Sequence, residues 1–209
     1  MTKIFTLLIL LLTVSALPAL ARPVSYPTGW TLMVMNNVNS NSAHIHYSPT
    51  AKYSIGWRHE YLREPSAHVN SIQLNNLLKR WNKKSEQANI YLKSGTGIAL
   101  KDGQLNPAIF TGIAADWETR RHFVSYENRF FWANDTDQFI RHEARIGIAP
   151  YIGNYGDLHT WLMLQANYDA GNTNSFFATP LVRLFKNSTL VEFGYNLDNG
   201  VEANFIQRF

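Results

Sequence analysis

Three groups of side chains in this 209-residue sequence could do chemistry. His122, Ser125, Glu127, His142 and His159 supply a nucleophile and bases for acyl transfer, as in a lipid-modifying hydrolase or transferase. Met33 and Met35, with His44 and His46 nearby and His59 and His68 on the next segments, offer thioether and imidazole ligands that suit copper. The third group is a series of charges of both signs: Arg58, Glu60, Asp116, Glu118, Arg121, Glu127, Arg129, Arg141, Glu143, Arg145, Glu192, Glu202 and Arg208. In a confined interior, Arg and carboxylate partners satisfy one another bidentately, so these residues could form a self-paired network.

The spacing weakens the first two readings. His122 and Ser125 have opposite parity on a strand, and neither a G-x-S-x-G elbow nor an H-E-x-x-H helix is present. Two-residue repeats of Met or His arise wherever a strand alternates, so Met33, Met35, His44 and His46 are weak metal candidates with an equally good role in packing and hydrogen bonding. The absence of cysteine excludes disulfides, thiolate zinc sites, iron–sulfur clusters and cysteine nucleophiles. The expectation is a non-catalytic protein without a cofactor, and the charge network is its candidate site.

Positioning such a network requires strands. Segments rich in aromatic and β-branched residues recur at roughly 30–37, 42–48, 51–63, 68–82, 87–101, 107–118, 121–134, 138–151, 157–169, 176–185, 189–197 and 200–209. Turn residues separate them, as in Ser48-Pro49-Thr50, Glu64-Pro65-Ser66 and Asp198-Asn199-Gly200. Within them the faces alternate: Tyr53, Ile55, Trp57 and Tyr61 oppose Ser54, Gly56, Arg58 and Glu60, and Ile140, Ala144, Ile146 and Ile148 oppose Arg141, Glu143 and Arg145. Phe123, Phe131, Trp161 and Met163 break the rule by falling on the polar face, and Asn128 by falling on the apolar one. The stretch 72–82 is ambiguous, because Leu74, Leu77, Leu78 and Trp81 have helical spacing. A strand is favoured there, since a helix would leave an odd strand number, which bacterial single-chain barrels avoid.

Composition decides which side of the sheet is wet. The chain is 45% apolar and 13% aromatic but only 16% charged, yet its mean hydropathy is −0.21. A soluble barrel or sandwich would carry Lys and Glu on its polar face. Here that face favours Arg, Glu, Gly, Ser and Asn, with lysines mostly near turns, and Trp30, Trp81, Trp117, Trp132, Tyr151 and Phe209 lie near strand ends where interfacial girdles sit. The prediction is an all-β protein, a closed up-and-down antiparallel transmembrane β-barrel of twelve strands, within a range of eight to twelve, with short loops.

The amino terminus supplies the route. Lys3, the apolar run from Ile4 to Val14 and the Ala19-Leu20-Ala21 pattern read as a signal peptide over residues 1–21, leaving 22–209 as a single barrel domain. The net charge of +4 is too mild to argue for nucleic acid.

The signal peptide, the amphipathic strands and the final strand Val201 to Phe209, with Phe205 and a terminal Phe209, resemble a Gram-negative outer-membrane β-barrel protein. The resemblance implies residence in outer-membrane lipid and insertion by the barrel-assembly machinery with periplasmic chaperones, Phe205 and Phe209 acting as the assembly signal. The strings Tyr47 to Tyr53 and Tyr151 to Asp157 are similar to those of a proteobacterial group of such barrels, a likeness that carries no activity with it.

With both termini periplasmic, the outer connections fall near 37–42, 64–68, 101–107, 134–138, 169–175 and 198–200, all too short for a large receptor surface. The expected role is a narrow channel or a structural barrel; a lipid-modifying enzyme and a copper-handling barrel are the alternatives. Fractionated cells are expected to yield the protein in the outer membrane, migrating differently on gels before and after boiling. Recovery in the soluble periplasm would overturn both the fold and the location.

Overall fold

The computed structural model describes residues 23–154, 156–170, 175–196 and 200–209. Residues 1–21, read from the sequence as a signal peptide, lie outside the described residues, as do Asn199 and Tyr155. Twelve strands follow one another: β1 (Gly29–Asn36), β2 (Ser40–Thr50), β3 (Tyr53–Leu62), β4 (Ala67–Asn82), β5 (Glu86–Lys101), β6 (Gln104–Thr119), β7 (His122–Ala133), β8 (Asp137–Ile148), β9 (His159–Ala170), β10 (Ser175–Lys186), β11 (Thr189–Asn196) and β12 (Gly200–Arg208). Each pairs antiparallel with its sequence neighbours, and β1 pairs with β12, so the sheet is a closed barrel with no free edge. Closure is what allows strands to cross lipid, because every backbone donor and acceptor finds its partner in the wall.

The alternation sorts as the sequence predicts. Ile55, Trp57, Ile109, Ile113, Ile146 and Leu164 project outward and are exposed, whereas Ser54, Glu60, Gln73, Asn89, Arg145 and Glu192 are buried inside. An apolar surface of this extent on a polar-cored molecule is a lipid-facing belt. Trp30, Tyr47, Trp81, Trp117, Tyr151 and Phe209 gather at the rim that carries the termini. Among the described residues no helix is long and apolar enough to cross a membrane.

The ambiguous stretch is strand, and its helical spacing has a local cause. The β4 register passes from Leu77 opposite Tyr91 to Lys79 opposite Ile90, leaving Leu78 as an extra residue in a β-bulge. Leu74, Leu78 and Trp81 therefore all face outward, with Leu78 57% exposed, while Leu77 turns in. A second bulge on β2, between Tyr47 and Thr50, accommodates Pro49, which has no N–H for the ladder. The described connections at the rim away from the termini, between β1 and β2, β3 and β4, β5 and β6, and β7 and β8, are tight. Asp102 and Gly103, at φ +50° and +79°, close β5 to β6 in two residues, as the twist of a hairpin demands. The longest described connection, 149–158, lies at the termini-side rim.

The exceptions to alternation also have a place. Phe131 and Phe139 point inward near the far rim and pack with Leu62, Val69, Ala99, Ala108, Phe110 and Ala133. Phe123, Met163 and Trp161 form an inward cluster with Leu181 toward the other end. Asn128 does face outward, and its Oδ1 accepts the Ile113 backbone N–H at 2.8 Å, filling a gap where the β6–β7 pairing skips.

The bulge yields a sharp test. Deleting Leu78 leaves Lys79 outward and Arg80 inward in an unbroken ladder, so the variant is expected to fold and to remain heat-modifiable on gels. Deleting Leu74 instead turns Asn75 and Leu77 to the wrong face, and loss of the folded band is expected.

Candidate functional site

The inward face of the barrel carries the charges, and two groups of them span the lumen. Glu60 on β3, only 1% exposed, holds Arg58 two residues earlier at 2.8 Å and reaches across to Arg129 on β7 at 2.8 Å. Arg145 on β8 meets Glu143 on its own strand at 2.8 Å, Glu192 on β11 at 3.1 Å and Glu202 on β12 at 3.6 Å. Glu192 also accepts from Arg183 on β10 at 2.6 Å and from Asn204 at 2.9 Å, while Gln165 on β9 donates to Glu202 at 3.0 Å. A shorter bridge joins Lys93 on β5 to Glu127 on β7 at 2.5 Å, and Arg141 pairs with Asp169 across the β8–β9 ladder at 2.6 Å.

The inward phenylalanines support these cations. The Arg129 guanidinium lies 4.7 Å from the Phe110 ring centre and 5.3 Å from that of Phe131, Arg141 lies 3.8 Å from Phe139, and Arg183 lies 4.6 Å from Phe123. A guanidinium is planar and weakly hydrated, so it can stack on a ring and still donate in its plane. Phe123 and Phe131, two of the residues that broke the alternation, are thus platforms that hold arginines in position.

In the ring of strands, the β3–β7 bridge passes in front of the β4–β6 side and the β8 to β11 and β12 bridges pass in front of the β9–β10 side. A slot remains between them, flanked by Met33, Met35 and His44 on β1 and β2 and by Glu127 and Glu143 on β7 and β8; it belongs to a lumenal cavity of about 280 Å³. Its two sides differ in charge. The Arg58–Glu60–Arg129 group has two cations to one carboxylate, whereas the opposite group has Arg145 and Arg183 to Glu143, Glu192 and Glu202.

Of the sequence-derived network, Arg58, Glu60, Asp116, Glu118, Glu127, Arg129, Arg141, Glu143, Arg145, Glu192 and Glu202 line the cavity. Arg208 is buried on the inward face of β12. Arg121 is a correction: it sits exposed in the β6–β7 turn, because β7 begins one residue later at His122. Lys93, Arg183 and Asp169 belong to the network but were not selected by sequence. Their strand parity marks them as inward; the bias toward Arg and Glu obscured Lys93, and Asp169 reads as a turn residue at the end of its segment.

The other candidates do not assemble. Ser125 faces inward and His142 outward, where His142 is hydrogen-bonded to the Tyr126 hydroxyl at 2.8 Å; Glu127 is bound to Lys93. Met33 and His44 do stand opposite one another on β1 and β2, but the His44 ring is hydrogen-bonded to Ser42 at 2.8 Å and His46 contacts Asn75 at 3.4 Å. His59 and His68 stack on each other at 5.5 Å on the outer face, separated from this pair by the wall. No group of three or more His, Cys, Asp or Glu able to hold a metal is found among the described residues. Phe205 and Phe209 face outward, and Phe209 exchanges backbone hydrogen bonds with Trp30, at 3.0 and 3.1 Å, at the β1–β12 seam.

No protein-family model matches the chain, and no curated protein matches its sequence. Among solved structures it is similar to a KdgM porin in complex with disordered oligogalacturonate, with 10% sequence identity, a TM-score of 0.53, and coverage of 87% of this chain and 98% of the other. This chain has a porin's fold. A second KdgM porin structure is 10% identical over 86% of this chain and 96% of its own, with a TM-score of 0.47.

Arg145 is the hub of the larger charge group, and removing it leaves Glu143 and Glu202 without a cation while Glu192 keeps Arg183. Arg145→Gln is expected to destabilise the barrel by about 3 kcal/mol, the low end for one partner of a buried pair because the cavity admits water. Urea unfolding in lipid vesicles measures this. Replacing Arg145 together with Glu202 by Gln is expected to cost less than the single change, because Glu202 has no other cation.

Proposed function

We propose that the protein is a narrow diffusion channel of the Gram-negative outer membrane, exported on residues 1–21 and inserted with its termini toward the periplasm. The observation that carries this reading is the polar slot left between the two cross-lumen charge groups inside a closed, lipid-belted barrel. A purely structural barrel would need no such space. Phe205 and Phe209, at alternate outward positions of the last strand, fit recognition by the assembly machinery.

The solute class follows from the charge balance. The solved porin of similar fold is seen with oligogalacturonate, a polyanion. Here each lumenal guanidinium of the two groups is matched with carboxylates, and one side of the slot has a carboxylate in excess. A polyanion would face that side at close range, where water screens poorly. Small neutral or dipolar solutes fit this slot better than long anionic chains, because opposite signs face each other across it.

Planar-bilayer recording tests both statements. The refolded protein is expected to give small, steady conductance steps with weak ion selectivity. Arg129→Gln is expected to shift the reversal potential in a salt gradient toward cation selectivity, and Glu202→Gln toward anion selectivity. Absence of any conductance would make the barrel a sealed structural one.

A further inference from the structure

The segment before β1 does not lie outside the barrel. Tyr26 to Gly29 form a tight turn in which the Gly29 N–H donates to the Tyr26 carbonyl at 3.1 Å and Thr28 adopts φ +65°. A Cβ on Gly29 would come within 2.8 Å of the Tyr26 ring, so the lack of a side chain there lets the turn close. A β-branched residue seldom takes a left-handed conformation, and Thr28 is held in it by its N–H, which donates to the Ser48 carbonyl at 2.7 Å. The chain ahead of the turn is thereby folded back into the lumen.

Three contacts seat it there. The Ser25 N–H donates to the Ser48 hydroxyl at 3.0 Å, and the Ser54 hydroxyl donates to the Pro23 carbonyl at 2.8 Å. Val24, 3% exposed, packs against the inward Tyr91 and Ala114, with Leu77 beside them. The seat is continuous with the lumenal hydrogen-bond network, since Ser54 also accepts from Asn75 at 3.0 Å, which in turn accepts from Gln73 at 2.7 Å. Pro23 itself lines the cavity. Leu77 points inward in phase with Gln73 and Asn75, and the Leu78 bulge that follows it resets the phase so that Arg80 also turns in.

From this geometry we infer that residues 23–25 are a built-in occupant of the lumen that sets the width of the pore at its termini-side mouth. In the channel reading above, on which this inference rests, a short peptide fills the part of the lumen that long inward-folded loops fill in larger barrels. The occupant is held by two hydroxyls and one apolar side chain, so it is both specific and removable. It makes the mouth narrower on the β4–β6 side, and the solute passes beside it.

Two measurements test the inference on the refolded chain, with folding checked by heat-modifiable migration. First, because the protein has no cysteine, Val24→Cys introduces a single thiol. It is expected to resist a small, charged, membrane-impermeant thiol reagent, and to become reactive when Ser48→Ala and Ser54→Ala are added. Second, single-channel conductance is compared between the chain beginning at Arg22 and one beginning at Tyr26. The shortened chain is expected to conduct about twofold more, as when side chains leave a lumen of this width.

Rapid labelling of Val24→Cys in the otherwise native chain would overturn the seating. Protection with equal conductance in both chains would overturn the claim that the segment sets the width. If the shortened chain fails to fold, the Ser48→Ala and Ser54→Ala variant takes its place in the recording, with the same rise expected and an unchanged conductance counting against the inference. Protection with no conductance in any chain would retire the channel reading while upholding the segment as a lumenal filler.

Discussion

A backbone inside a bilayer has no water to bond with, and every N–H and C=O that crosses the lipid must find a partner in the protein. The closed twelve-strand ladder is the answer to that constraint, and the rest of the structure depends on it. Closure puts one face of every strand against lipid and the other against a confined interior. Where the pairing lapses between β6 and β7, the Asn128 side chain supplies the missing acceptor, which explains a polar residue on the greasy face. Where the chain must tolerate Pro49 or an added Leu78, a bulge absorbs the irregularity without opening the wall.

The interior faces its own constraint. Charges removed from bulk water need partners, and in a barrel this narrow the partners include strands on the other side of the lumen. Glu60 with Arg129, and Arg145 with Glu192 and Glu202, are such long-range partners. They cross the one lumenal cavity instead of leaving a round bore. The phenylalanines beneath Arg129, Arg141 and Arg183 limit where those guanidinium groups can go.

Much of this was legible in the residues. The strand number, the closed antiparallel order and the face of nearly every side chain follow from alternation and turn chemistry, and even Phe123 and Phe131 were placed on the correct side. Two kinds of feature were not readable. The partners across the lumen depend on how the sheet is staggered as it closes, a property of the whole ring that no local window contains. Register also turns on single residues: Arg121 missed the lumen because β7 starts at His122, and the spacing around Leu78 imitated a helix because one extra residue resets the phase. Residues 23–25 carry no alternation at all, and their place inside the barrel rests on contacts with Ser48, Ser54 and Tyr91 that are distant in sequence.

The seam between β1 and β12 is joined over six residue pairs, against sixteen between β5 and β6, and unlike the hairpins it has no turn to hold its two sides together. A wall with one such joint has an order of events built into it. Each hairpin joins strands adjacent in the chain, whereas this joint needs two strands that ten others separate. The same joint is where the wall would part first under load. Phe209, clasped to Trp30 by two backbone hydrogen bonds, is the stitch that holds the edge of this joint.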